Sequence, residues 1–125
     1  MTVVIDTSVL IDVLRGLPAA AELLRRERQA GPLWASEMTR LELLAGMRPN
    51  EEARTRQLMT SLRWVPVDED VAELAGKLGR KWLPSHRAID GADLVIAATA
   101  LQRNARLETK NVKHFPMFPG LTAPY

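Results

Sequence analysis

Three carboxylates stand out because of the residues around them. Asp6 ends the apolar run "VVI" and is followed at once by Ser8 and a second apolar stretch. On a helical wheel, Glu42 has Met, Thr, Ala and Gly three and four residues away, and no Lys or Arg that could pair with it. Asp93 shares a helix face with Ile96 and small residues. Burial of an unpaired carboxylate is costly, so each of the three needs a partner.

A divalent cation would satisfy the three carboxylates together. Acidic groups that converge without a cation repel one another strongly. Hard oxygen ligands with room for water suit Mg²⁺ or Mn²⁺. In a chain of formal net charge +2, a carboxylate-held metal indicates phosphodiester chemistry, in which metal-activated water attacks in line. The sequence therefore predicts a metal site formed by Asp6, Glu42 and Asp93.

Each acidic residue also has a structural interpretation when it is taken alone. Asp93 falls at the third position of a helix that Asp90 would cap, where an acidic side chain can close a capping box. Glu42 could be solvated. Asp12 lies in a short amphipathic helix away from the strand end, where we expect it to cap the helix or to pair with Arg15.

Composition limits the class of protein. The 125 residues, 46% hydrophobic and 26% charged, are typical of one soluble globular domain, which we expect to span 1–125. The absence of Cys excludes disulfide frameworks and Cys-based zinc sites, and suits a cytoplasmic location. No apolar run approaches the roughly 18 residues of a membrane span. The N-terminus lacks the basic start of a signal peptide, so we expect no membrane association.

Strands that alternate with helices must position these residues. The predicted elements are strand 2–6, helix 8–15, helix 18–30, strand 33–35, helix 37–47, helix 50–63, strand 64–67, a helix from Asp68 to about Trp82, a loop at 84–91, helix 92–104 and strand 105–109. Ser36, Asn50, Asp68 and Asp90 are the predicted N-caps. This order predicts an α/β fold, a three-layer α/β/α sandwich with a mainly parallel central sheet. In such sheets the functional crevice lies beyond the carboxyl ends of the strands, where Asp6 falls.

Three segments of the chain resemble one known family. The stretches "VIDTSVLIDVLRG", "EMTRLELLAGM" and "DGADLVIAATALQRNARLETKNVKHF" are similar in order and spacing to the PIN-domain ribonucleases, above all to the VapC toxins of bacterial toxin–antitoxin pairs. The resemblance places the metal-binding acidic residues of the family on Asp6, Glu42 and Asp93. Its small polar residues fall on Thr7, Ser8, Thr109 and Asn111. It implies an Mg²⁺- or Mn²⁺-dependent endoribonuclease, held inactive by a cognate VapB-like antitoxin and usually homodimeric.

One position departs from the family pattern. Many relatives carry a further Asp just before the Phe of the last segment, and this chain has His114 there. His114 could ligate a second ion, contact phosphate when protonated, or pack in its loop. We expect packing with a minor phosphate contribution, and one tightly held ion rather than two.

Other functions remain open at this stage. A haloacid-dehalogenase-type phosphatase would need a second Asp where Ser8 stands. A non-catalytic RNA-binding or antitoxin-binding module on the same fold is the main alternative from another class, and intact carboxylates at all three positions argue against it. A stand-alone RNA-processing PIN nuclease is the alternative within the enzyme class.

Overall fold

The computed structural model describes residues 2–125 and has an α/β fold. The strands are β1 (Val3–Ile5), β2 (Leu33–Ser36), β3 (Leu62–Val65) and β4 (Arg106–Glu108). The helices are α1 (Thr7–Leu14), α2 (Pro18–Ala30), α3 (Glu37–Ala45), α4 (Glu52–Met59), α5 (Glu69–Trp82) and α6 (Gly91–Gln102). No helix within residues 2–125 has both the length and the apolar character that crossing a bilayer requires.

The four strands form one sheet in the order β3-β2-β1-β4, and every pairing is parallel. The alternation of side chains along β1 explains the layers, because successive residues of a strand point to opposite faces. Val3 and Ile5 pack in a cluster that draws on α1 to α4, whereas Val4 packs against α6 and Phe115 on the other face. The predicted three-layer sandwich is therefore confirmed, and the sheet is parallel throughout.

The end of β1 places Asp6. Ile5 pairs with Glu108 of β4, and the backbone N–H of Asp6 donates to the Glu108 carbonyl at 2.9 Å. The parallel ladder thus continues one residue beyond the strand. Because β1 lies inside the sheet, Asp6 is fixed at its carboxyl end and is only 3% exposed.

Three of the four predicted N-caps are confirmed. The Ser36 hydroxyl accepts the N–H of Met38 at 3.0 Å, and a carboxylate oxygen of Asp68 accepts the N–H of Val71 at 2.9 Å. Asp90 caps α6 in the predicted way, and its bond is described with the site. These caps satisfy N–H groups that the first helical turn leaves without partners.

The region 50–67 was predicted wrongly. A 3₁₀ turn at Pro49–Glu51 contains Asn50, so Asn50 is not an N-cap. Helix α4 ends at Met59 and not at residue 63, and β3 occupies 62–65 where the sequence suggested 64–67. The hydroxyls of Thr60 and Ser61 donate to carbonyls three residues back, at 2.6 Å each, in the turn that follows the helix.

Candidate active site

A cavity of about 410 Å³ opens at the carboxyl end of β1 and collects the predicted residues. Its acidic lining residues are Asp6, Asp12, Glu42, Asp90 and Asp93. The other lining residues are Thr7, Ser8, Ile11, Lys110, Asn111 and His114. The three predicted carboxylates therefore face one cavity, although they lie on elements that are far apart in the sequence.

Two hydroxyl groups hold the Asp6 side chain. The Ser8 hydroxyl donates to Asp6 Oδ2 at 2.7 Å, and the Thr109 hydroxyl donates to the same atom at 2.8 Å. Within residues 2–125, Asp6 Oδ1 accepts no hydrogen bond, although Asp6 lines the cavity. These two hydrogen bonds, one from a near neighbour and one from across the chain, thus fix the carboxylate and leave one oxygen free for a ligand.

Glu42 is oriented by a second hydroxyl pair. Thr7 Oγ1 lies 2.7 Å from Glu42 Oε1 and 2.9 Å from Thr39 Oγ1. A hydroxyl has one proton and a carboxylate can only accept, so Thr7 donates to Glu42 and accepts from Thr39. Burial raises the pKa of Glu42 above its ordinary value, the Thr7 bond opposes this, and the charges of Asp6 and Asp90 raise it further.

Asp93 has both roles that the sequence suggested, a cap and a cavity carboxylate. Its N–H donates to Asp90 Oδ1 at 2.8 Å, and the N–H of Asp90 donates back to Asp93 Oδ2 at 3.1 Å, which closes the capping box. Burial raises the pKa of Asp93 from 3.8 to about 6. The Asp90 backbone bond and the nearby His114 oppose this rise, and the charges of Asp90 and Asp6 add to it.

His114 has a role that the sequence did not indicate. Its Nδ1 lies 3.0 Å from Asp93 Oδ2, and its side chain is 33% exposed at the cavity wall. The expectation of a packed loop residue is therefore incomplete, because the ring is a direct partner of Asp93. The minor phosphate contact that we expected stays a prediction.

The remaining predicted polar residues form one supporting network. Thr109 is fully buried, and its hydroxyl also accepts the N–H of Asn111 at 2.9 Å. Ser8 accepts the N–H of Lys110 at 3.1 Å. The loop after β4 is thereby tied to the start of α1, and Asn111 is placed at the cavity wall.

Asp12 and Asp90 are the acidic cavity residues that sequence reasoning missed, and Ile11 and Lys110 also line the cavity. Asp12 lines the same cavity as Asp6, so its predicted distance from the strand end was wrong. It accepts a hydrogen bond from the Tyr125 hydroxyl at 2.6 Å and does not pair with Arg15, which binds Glu51. Tyr125 is 113 residues away, so no local pattern could have revealed the contact.

The donor set fits a hard divalent cation held partly by water. Five carboxylates line the cavity, and burial together with the charges of Asp6 and Asp90 raises the pKa of both Glu42 and Asp93. Among residues 2–125, no three His, Cys, Asp or Glu side chains stand close enough to form a complete metal cage. Mg²⁺ does not require one, since it usually keeps several waters and binds one or two carboxylates.

Comparison with known proteins decides the family. The PIN domain family matches residues 3–115. Ribonuclease VapC19 of Mycobacterium tuberculosis is 48% identical over 122 residues, which cover 97% of this chain and 98% of the relative. The chain belongs to the PIN-domain family, among its VapC proteins. Ribonuclease VapC10 of the same organism is 41% identical to this VapC-type chain over 123 residues, 98% of the chain and 92% of the relative.

Solved structures agree with this assignment. A toxin–antitoxin complex from Klebsiella pneumoniae contains a chain that superposes on this PIN domain with a TM-score of 0.81 at 28% identity, covering 99% of this chain and 98% of that one. The family inferred from the three sequence segments is thus confirmed. The metal-binding role of Asp6, Glu42 and Asp93 in this PIN domain remains a prediction.

Proposed function

We propose that this VapC-type PIN domain is an Mg²⁺- or Mn²⁺-dependent endoribonuclease that acts as the toxin of a toxin–antitoxin pair. One observation carries the proposal: Asp6, Glu42 and Asp93 face a single cavity, where burial and the charge of Asp6 raise the pKa of the other two carboxyls. The names of the relatives VapC19 and VapC10 as ribonucleases support an RNA substrate. The toxin–antitoxin complex among the structural neighbours supports an antitoxin partner.

The residues of the cavity would have two kinds of role, as metal ligands and as hydroxyl groups that orient them. Asp6, Glu42 and Asp93 would hold one metal ion, one or two of them directly through carboxylate oxygens and the rest through bound water. When bound, the ion supplies an activated water and stabilises charge on the phosphate. The hydroxyls of Thr7 and Thr109 keep two of these carboxylates in a fixed orientation, as outer partners of metal ligands commonly do.

Two basic side chains at the cavity wall suit contact with RNA. Lys110 and His114 both line the cavity, and either could contact a phosphate oxygen. Nδ1 of His114 faces Asp93, so its other ring nitrogen is the one available for such a contact. This arrangement supports one ion over two, because the His nitrogen nearest to the carboxylates already has a partner.

The partners follow from the same proposal. We infer that a VapB-like antitoxin inhibits the enzyme by placing a segment across the cavity, with an Arg or an aromatic residue near the carboxylates. We also infer a homodimer, as the resemblance to the VapC toxins implies. Sedimentation at micromolar concentration should show a dimer, and a monomer with and without antitoxin would contradict it.

Incubation of purified protein with total cellular RNA tests the function. Discrete cleavage products should form with Mg²⁺ or Mn²⁺, disappear with a chelator, and disappear on addition of the cognate antitoxin. RNA that is bound but never cut would favour a non-catalytic module. Cleavage by a protein whose gene has no adjacent antitoxin gene would favour a stand-alone RNA-processing nuclease.

A further inference from the structure

The carboxylate cavity continues into a groove along the protein. The carboxylate cavity shares Ile11 and Glu42 with a hollow of about 90 Å³ between α1 and α3. That hollow shares Leu14, Arg15 and Glu51 with a third cavity of about 370 Å³. Because neighbouring cavities share lining residues, the three spaces lie in a row from the carboxylates to the third cavity, and this row is the groove.

One face of α1 forms the floor of this groove. Ile11 follows Thr7 by four residues, and Leu14 and the C-cap residue Arg15 follow Ile11 by three and four, which places them on one helix face. At 1.5 Å of rise per residue, the face extends about 12 Å from Thr7 to Arg15. Gly16, at φ 83°, then turns the chain away. The groove is thus long enough for more than one nucleotide.

The far end of the groove carries an arginine cluster, formed by Arg15, Arg48 and Arg54. Arg15 Nη1 lies 2.8 Å from Glu51 Oε2, and Arg54 Nη2 donates to the Leu14 carbonyl at 2.5 Å. Glu51, the one carboxylate of this cavity, also accepts the backbone N–H of Arg48 at 2.8 Å. Glu51 offsets a single charge, so the arginine cluster retains about two positive charges.

We propose that the arginine cluster binds a backbone phosphate of the same RNA strand whose scissile bond lies at the carboxylates. This inference rests on the proposed function, because it takes RNA as the substrate. Arginine donates to phosphate through a planar fork of N–H groups, which gives both affinity and orientation. A strand that passes the carboxylates carries phosphates at regular intervals and must leave along a groove. Arg48 and Arg54 would thus be substrate-binding residues remote from the scissile bond.

RNA binding in a chelator tests the inference without any cleavage. The probe is a fluorescent 15-nucleotide single-stranded RNA of mixed sequence, titrated with protein in EDTA at several salt concentrations. The double variant Arg48→Ala/Arg54→Ala should raise Kd about tenfold or more. It should reduce the slope of log K against log salt by about 0.7, since one phosphate contact on a single strand contributes about that much.

A matched control distinguishes the loss of arginines in the groove from the loss of net charge. Arg25→Ala/Arg56→Ala also removes two positive charges, from residues paired with Glu22 and Glu52 outside the groove. It should leave Kd and slope close to wild type. An equal loss in both double variants, or no loss in either, would overturn the proposal. Arg48→Lys/Arg54→Lys keeps the charge and should restore most of the binding, which a merely unfolded variant could not show.

Cleavage kinetics and partner binding complete the test. With metal, the Arg48→Ala/Arg54→Ala variant should raise KM and leave kcat nearly unchanged, as expected when uniform binding is lost. Loss of RNA binding by this variant supports the cluster even if wild type cuts no RNA, in which case only the proposed function fails. If the wild type cleaves RNA and the variant has the same KM, the role of the arginine cluster is refuted and the proposed function stands. Normal RNA binding with loss of antitoxin binding would assign the cluster to a protein partner and refute the inference.

Discussion

The hydroxyl of Thr109 offers a quantitative test of how Asp6 is held. It is fully buried and donates to Asp6 Oδ2 at 2.8 Å. Thr109→Val keeps the shape of the side chain and removes this donor, together with the acceptor of the Asn111 N–H. A hydrogen bond to a charged group is worth about 1.5–3 kcal/mol, so the free energy of unfolding should fall by about that amount.

Thr99 supplies a control in a similar environment. It is 1% exposed, and its hydroxyl donates to the Val95 carbonyl at 2.8 Å within α6. Thr99→Val therefore removes a neutral hydrogen bond, worth about 0.5–1.5 kcal/mol. Urea denaturation at pH 7 should show that Thr109→Val costs about 1–2 kcal/mol more than Thr99→Val, with equal m-values.

The same two variants also differ in their expected activity. Outer partners of metal ligands typically contribute 10–100-fold to metal affinity or activity, so Thr109→Val should reduce RNA cleavage by about that factor. Thr99→Val should cleave RNA like wild type. Equal losses of stability and activity in both variants would refute the claim that Thr109 positions Asp6.

Three further predictions test the surroundings of the site. Asp93→Asn and Asp90→Asn both preserve the capping box, so only Asp93→Asn should reduce RNA cleavage by more than about 100-fold; the reverse result would mean that the wrong carboxylate was assigned. Burial is the main cause that raises the pKa of Glu108 from 4.5 to about 7, and contact with Glu27 raises it further. The stability that protonated Glu108 contributes is therefore complete below pH 4.5 and is lost as pH rises through about 7. Glu108→Gln should flatten the stability profile in that window, and an unchanged profile would argue against the buried acid. Tyr125→Phe removes the 2.6 Å hydrogen bond to Asp12 and should lower the free energy of unfolding by about 1 kcal/mol, seen as a lower melting temperature. An unchanged melting temperature would show that the contact contributes nothing.

Local patterns were sufficient to predict the fold and much of the site. The apolar run before Asp6 identified β1 and its end, and the caps at Ser36, Asp68 and Asp90 identified three helix starts. The region 50–67 was predicted wrongly because its helix and strand are separated only by Thr60 and Ser61, which carry no Gly or Pro signal.

Long-range contacts account for what the sequence could not show. Thr39 meets Thr7 across 32 residues, and Tyr125 meets Asp12 across 113. Such pairs depend on how the helices pack on the sheet, and no spacing along the chain encodes them. The partnership of His114 with Asp93 is of the same kind.

Single-turnover RNA cleavage as a function of Mn²⁺ concentration tests the central claim most directly. Protein stripped with EDTA should cut no RNA, and activity should rise to saturation as Mn²⁺ is restored. Asp6→Asn should bind the same RNA in EDTA as tightly as wild type and yet cleave little of it at any Mn²⁺ concentration. Cleavage by metal-free wild type, or a wild-type Mn²⁺ response in Asp6→Asn, would contradict the assignment of this cavity as the metal-dependent nuclease site.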